Sequence, residues 1–181
     1  LYEPAGAPQA SEMDNKTKKP GMNVSRALAI KLLKQYCILG YDLTLLEVHK
    51  LLYFLQEFGE PLRLRYQKHV YGPYADNLRH VLLLFEGHYL EGFGDGTKNK
   101  PDTKITILHG AVEAADSFLN SDKEKMTIHL ERLGKVEKFI EGLSDVIGYI
   151  QTHNGEATTS QEKKDDLEES TDGDIKLSID F

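Results

Sequence analysis

Residues 44–61 read Thr44-Leu-Leu-Glu-Val-His-Lys-Leu-Leu-Tyr-Phe-Leu-Gln-Glu-Phe-Gly-Glu-Pro61. Thr44-Leu-Leu-Glu47 is a capping box, in which the hydroxyl and the carboxylate each satisfy a free backbone N–H of a first helical turn. The helix it opens is expected to run to about Phe58, with Gly59 and Pro61 ending it. Leu51, Leu52, Phe54 and Leu55 supply a dense apolar face, which places this helix against a core. On the N-terminal side, Val24, Ala27, Leu28, Ile30, Leu32, Leu33 and Cys37 recur at helical spacing and Gly40 is a natural stop, predicting a helix over 23–39. On the C-terminal side, Leu62, Leu64 and Tyr66 alternate with Arg63, Arg65 and Gln67, which is a strand signal. Gly72-Pro73 is read as opening a third helix with Pro73 at its tolerated first position and Leu78, Val81, Leu82 and Phe85 on its apolar face.

Further along, Gly92-Phe-Gly-Asp-Gly96 is a turn and Ile105-Thr-Ile-Leu108 a second short strand. Ala111–Leu119 is helical. Ser121-Asp-Lys-Glu124 is another capping box, followed by Met126, Leu130, Leu133, Val136, Ile140, Leu143, Ile147 and Ile150 at three-to-four spacing. Gly134 and Gly142 are the expected break points of that long segment. The fold class predicted is a predominantly helical α+β domain. About five helices surround Leu51, Leu55, Leu82 and Phe85, with a small sheet or hairpin drawn from 62–70 and 103–108.

The chain has 181 residues, of which 40% are hydrophobic and 28% charged, enough for a real core in one domain with flexible ends. The net charge is −7, and residues 156–181 hold nine acidic and three basic side chains. The body before them is close to neutral, which excludes a strongly basic nucleic-acid surface in bulk. Local clusters remain at Lys16, Lys18 and Lys19 and at Arg63, Arg65 and Lys68. No apolar run approaches the roughly 20 residues of a membrane span, and the first residues lack the pattern of a signal peptide. One cysteine, Cys37, builds neither an intrachain disulfide nor a cysteine-based zinc site, so a cytoplasmic setting is expected. Residues 1–22 read as a linker, 23–152 as the folded domain, and 153–181 as an acidic mobile tail. Its end, 175–181, alternates at period two like a strand. The start without Met, inside a proline-rich phrase, suggests a piece of a longer protein.

Catalytic patterns are sparse. No His-Glu-x-x-His run, nucleophile elbow or Walker loop occurs. His80 and His88, with Glu86 near, are better read as helix-surface residues than as metal ligands. Cys37 reads as a small buried hydrophobe, and the 92–96 glycines as a plain turn. More distinctive is Tyr71-Gly-Pro-Tyr-Ala-Asp-Asn-Leu-Arg-His80, where Tyr71, Tyr74, Asp76, Asn77, Arg79 and His80 crowd what is read as a helix start. Aromatic faces, carboxylates and an arginine at one place suit protein recognition.

Lys50-Leu-Leu-Tyr-Phe-Leu-Gln56, residues 59–64, Tyr71–His80, Glu86-Gly-His88 and Gly94-Asp-Gly96 resemble, in the same order, the C-terminal domain of DarG antitoxins. Tyr2–Pro8 is similar to the junction where the DarG macrodomain ends. The Lys-Leu-Leu-Tyr-Phe and Gly-Pro segments are more loosely similar to Panacea-type antitoxin domains. The resemblance covers about residues 1–143. Beyond it the family continues through a helical section with a tryptophan, whereas this chain has none.

The resemblance implies a partner, DarT, an ADP-ribosyltransferase that modifies thymidine in single-stranded DNA. The DarG macrodomain removes that modification, and the C-terminal domain binds the toxin and blocks its DNA site as a DNA mimic. This chain is then expected to be the neutralising module, not an enzyme, with no cofactor or metal. It is expected to act as a monomer or in a 1:1 complex with the toxin, without membrane or direct nucleic-acid partners. The expected contact surface is Tyr71, Tyr74, Asp76, Asn77, Arg79, His80, Glu86, Tyr89, Glu91 and Asp95, which offers carboxylates where phosphates sit and rings where bases sit. The alternative is a helical nucleic-acid-binding regulator using Lys16–Lys19 and Arg63–Lys68. A third reading, an enzyme acting on ADP-ribose or a nucleotide, would need a phosphate cradle and a poised acid or base.

Overall fold

In the computed structural model the described residues are 18–143. Residues 1–17 of the expected 1–22 linker, the end of the expected domain with Ile147 and Ile150, and the tail with its strand at 175–181 lie outside them. Helix α1 (Val24–Ile38) begins at Asn23, whose Oδ1 accepts from the Arg26 N–H at 2.9 Å. Ala27, Leu28, Ala29, Ile30, Leu32 and Leu33 are all buried, so α1 is covered on most of its circumference. Helix α2 (Leu45–Glu57) carries the expected capping box, with the Thr44 N–H donating to Glu47 Oε2 at 3.2 Å. The carbonyls of Thr103 and Pro101 accept from the Leu45 and Leu46 N–H groups, both at 2.9 Å. A loop distant in sequence thus takes up first-turn donors that helix geometry leaves free.

Strands β1 (Tyr66–His69) and β2 (Gly72–Ala75) form an antiparallel hairpin with Val70 and Tyr71 at its turn. The expected helix at Gly72-Pro73 is therefore a strand, and helix α3 (Leu78–Phe85) starts after it. The hairpin tolerates Pro73 because it pairs with Lys68 next to the closing His69–Gly72 pair. At that position a backbone N–H would face away from the partner strand. The Ala75 N–H, two residues on, also faces away and donates to His49 Nδ1 at 3.3 Å.

The expected sheet joining 62–70 to 103–108 is not formed. Strand β3 (Leu90–Glu91) pairs instead with β4 (Thr106–Ile107), making a second two-stranded sheet. Residues 61–65 lie outside any strand. Their alternation has a different cause. Gln56 donates from Nε2 to the Leu64 carbonyl at 3.0 Å and accepts from the Leu64 N–H at 2.8 Å. Asn77 donates from Nδ2 to the Arg63 carbonyl at 3.0 Å and accepts from the Arg65 N–H at 2.9 Å. Two side-chain amides thus do for this segment what neighbouring strands do elsewhere.

Helix α4 (Ala111–Asn120) turns Ala111, Ala115 and Leu119 inward. It packs against α1, with a Lys31–Asp116 ion pair of 2.9 Å. Residues 123–143 form helix α5, which passes Gly134 without the expected break, and the chain beyond the other expected break point, Gly142, lies outside the described residues after Leu143. Its cap is Asp122, whose Oδ1 accepts from the Lys125 N–H at 3.3 Å, one position later than the expected Ser121. Met126, Leu133, Val136 and Ile140 of α5 are buried with Leu51, Leu55, Leu82 and Phe85 in one core. The predominantly helical α+β class and the expected core centre both hold. Cys37 is half-buried against this core, and burial raises its thiol pKa.

Candidate functional site

The β1–β2 hairpin and the turn after it present most of the distinctive residues. Tyr71, at the hairpin turn, is 57% exposed, and Tyr74 is at the margin of exposure. The Tyr74 ring stacks on His49 with centroids 4.4 Å apart and meets His69 at 5.3 Å. His49 is buried at this contact. Burial, followed by the neighbouring His69, holds its pKa down to about 4 against the opposing pull of Asp76. Its imidazole is therefore neutral at pH 7. Because Nδ1 accepts from Ala75, the proton sits on Nε2.

Asp76, Arg79, His80 and Asp95 are exposed. Arg79 donates from Nη2 to the Asp95 carbonyl at 3.0 Å, tying α3 to the 92–96 turn. The Asp95 carboxylate accepts from the Thr97 N–H at 2.9 Å and from its hydroxyl at 2.7 Å. Those bonds, the backbone one foremost, lower its pKa and keep it ionised.

The remaining expected contact residues sit elsewhere. Asn77 is engaged with residues 63 and 65 as described. Glu86 accepts from the Gly92 and Phe93 N–H groups at 3.2 and 3.0 Å, which makes it the anchor of the 92–96 turn. Tyr89 is only 2% exposed. Its ring meets Phe85 edge-on at 5.5 Å and its hydroxyl donates to the Pro20 carbonyl at 2.6 Å. Glu91 is half-buried in β3, opposite Thr106.

Tyr71, Tyr74 and Arg79 share a cleft of about 330 Å³ with His49, His69 and Lys100. The start of α2 forms one wall, the hairpin a second, and residues 93–101 a third. His49, His69 and Lys100 escape the sequence reading because histidines on an apolar helix or a short strand, and a lysine in a polar loop, carry no spacing signal. Among the described residues no group of three or more His, Cys, Asp or Glu side chains is placed to hold a metal ion. No described helix is long and apolar enough to cross a membrane.

No family model matches the chain. It is 45% identical over 119 residues to a DNA ADP-ribosyl glycohydrolase of Thermus aquaticus, a match covering 66% of this chain and 32% of that protein. It is 31% identical over 114 residues to proteins of the same name from Mycobacterium bovis and Mycobacterium tuberculosis, covering 60% of this chain and 32% of each. The chain is thus a homologue of proteins named DNA ADP-ribosyl glycohydrolase and spans about a third of their length. This is consistent with the resemblance to DarG-type proteins.

Proposed function

We propose that this chain is an antitoxin module that neutralises a DarT-like DNA ADP-ribosyltransferase by direct protein–protein contact in the cytoplasm. It occludes the toxin's single-stranded DNA site by mimicking DNA. The relationship to DarG-type proteins supports the class of partner. One structural observation carries the mode of binding: exposed rings at Tyr71 and Tyr74 and the exposed carboxylate of Asp76 stand on the hairpin and the turn after it, and the exposed Asp95 stands on the 92–96 turn that Arg79 ties to α3. A basic groove built for a strand with stacked bases would meet both kinds of group. In this reading the glycohydrolase activity named for the relatives belongs to the part of them this chain does not span, and the chain itself is not an enzyme.

The test is calorimetric titration of the chain into a catalytically inactivated DarT-like toxin, with and without thymidine-containing single-stranded DNA. Tight binding that the DNA weakens is expected, as is a loss of about tenfold for Asp76→Lys or Asp95→Lys. Tight binding indifferent to DNA would keep the antitoxin and discard the mimicry. No binding would discard both. A second reading, the nucleic-acid-binding regulator, is favoured by the exposure of Arg63, Arg65 and Lys68. DNA binding by the chain alone, falling steeply with salt, would select it.

A further inference from the structure

The cleft differs from the protein around it in charge. The chain carries 29 acidic residues, yet no aspartate or glutamate lines this cleft. Its charged lining residues are Arg79 and Lys100. Arg79 is held in place through one nitrogen by the Asp95 carbonyl at 3.0 Å. The Lys100 backbone is fixed by its N–H donating to Thr103 Oγ1 at 2.8 Å, and its ammonium enters none of the ion pairs among the described residues. Tyr71, unlike Tyr74, has no aromatic partner among the described residues and stands 57% exposed. Asn99, a lining residue, uses its Nδ2 on the Phe93 carbonyl at 2.9 Å, which leaves its side-chain oxygen available as an acceptor.

A flat ring with a free face, two cations and an amide acceptor, in a space of about 330 Å³, match one kind of small ligand. We propose that this cleft binds a nucleoside phosphate, with its base on Tyr71 and its phosphate between Arg79 and Lys100. Arg79 supplies planar donors for phosphate oxygens, and Lys100 a compact point charge. The base is recognised mainly by stacking, so discrimination among bases is weak. The site does not depend on toxin binding, since the free chain already contains every group named. An acidic peptide would satisfy the two cations but would leave the Tyr71 face unused.

The test is amide NMR of the full chain titrated with AMP, CMP, GMP and dTMP, beside orthophosphate, adenosine, a short single-stranded oligonucleotide and tetraglutamate. Saturable shifts from the mononucleotides at residues 69–79 and 96–101 are expected. Tyr71→Ala and Lys100→Ala, both at exposed positions, should each weaken AMP binding by about tenfold, while the rest of the spectrum stays unchanged. Much tighter binding of the oligonucleotide would identify a nucleotide within a strand as the source of the ligand; equal binding would identify the free nucleotide. The proposal is overturned if no mononucleotide shifts these residues. It is equally overturned if orthophosphate binds as well as AMP, if tetraglutamate binds better, or if neither variant weakens binding. Any of these results leaves the toxin titration, and the reading that rests on it, standing.

Discussion

At Gly92 the backbone has φ +106, and a Cβ built there would lie 2.2 Å from the Lys104 carbonyl oxygen. Neither the angle nor the space admits a side chain, and the obstruction is backbone that β3 and β4 hold in register. Gly92→Ala should therefore cost on the order of 2–4 kcal/mol, read as a lower urea midpoint with an unchanged slope. Gly134, inside α5, has nothing within 4 Å of its missing Cβ. Gly134→Ala should raise stability by about 0.5–1 kcal/mol in the same assay. His49 makes a third prediction. Its pKa falls from 6.5 in the unfolded chain to about 4 in the fold, so between those values the unfolded state binds more protons. The stability contributed by the neutral ring is complete above pH 6.5 and is lost as pH drops toward 4, to the extent of roughly 2–3 kcal/mol. Denaturation series at pH 7 and pH 4.5 should differ by that much more in the wild type than in His49→Gln. Equal pH dependence in the two would refute the assignment.

Among the elements, α5 is held by its apolar face and by one buried carboxylate. Glu60, 1% exposed just after α2, meets His129 Nδ1 at 2.8 Å and Arg132 Nη1 at 3.4 Å, both on α5. Glu60→Gln keeps the shape and removes the charge that Arg132 faces, so it should cost about 1–3 kcal/mol. Hydrogen exchange should quicken first in α5 and much less in α1 or α4. If exchange quickens evenly, the tie is not local. The same contrast between local and distant ties explains which elements the sequence discloses. Helices α1 and α2 are legible because Gly40 and the Thr44–Glu47 box act within one turn of the ends they mark, and the apolar spacing of 24–37 does the rest. The hairpin is not, because Gly72-Pro73 suits a helix start and a strand after a tight turn alike. Its pairing with 66–69 and the Ala75 bond to His49, 26 residues away, distinguish them. The alternation at 62–65 is real, but its hydrogen-bond partners are the amides of Gln56 and Asn77, which no period-two pattern reveals.

For the molecule as a whole, a net charge of −7 hides a division of labour. Asp76 and Asp95 are exposed close in sequence to a cleft whose own lining is cationic. Tyr71 and Tyr74 serve both the proposed toxin contact and the cleft. Saturating AMP should therefore weaken toxin binding in a competition titration, and Tyr71→Ala should weaken both while Lys100→Ala weakens nucleotide binding alone. Affinity for toxin unchanged by AMP would separate the two surfaces. The region of this site could be read from the crowding of residues 71–80, but its membership could not. Tyr89 and Tyr71 are the same side chain to a sequence reader, and only packing makes one a core residue and the other a free face. Tyr89 has a mechanical consequence as well. Its hydroxyl holds the Pro20 carbonyl across 69 residues, and Lys19 lies over its ring with Nζ 4.9 Å from the centroid. Tension applied to the chain ahead of Lys19 would reach this clasp beside β3 before it reached the first turn of α1. In a pulling experiment the helix at the centre of the core is shielded until the clasp gives way.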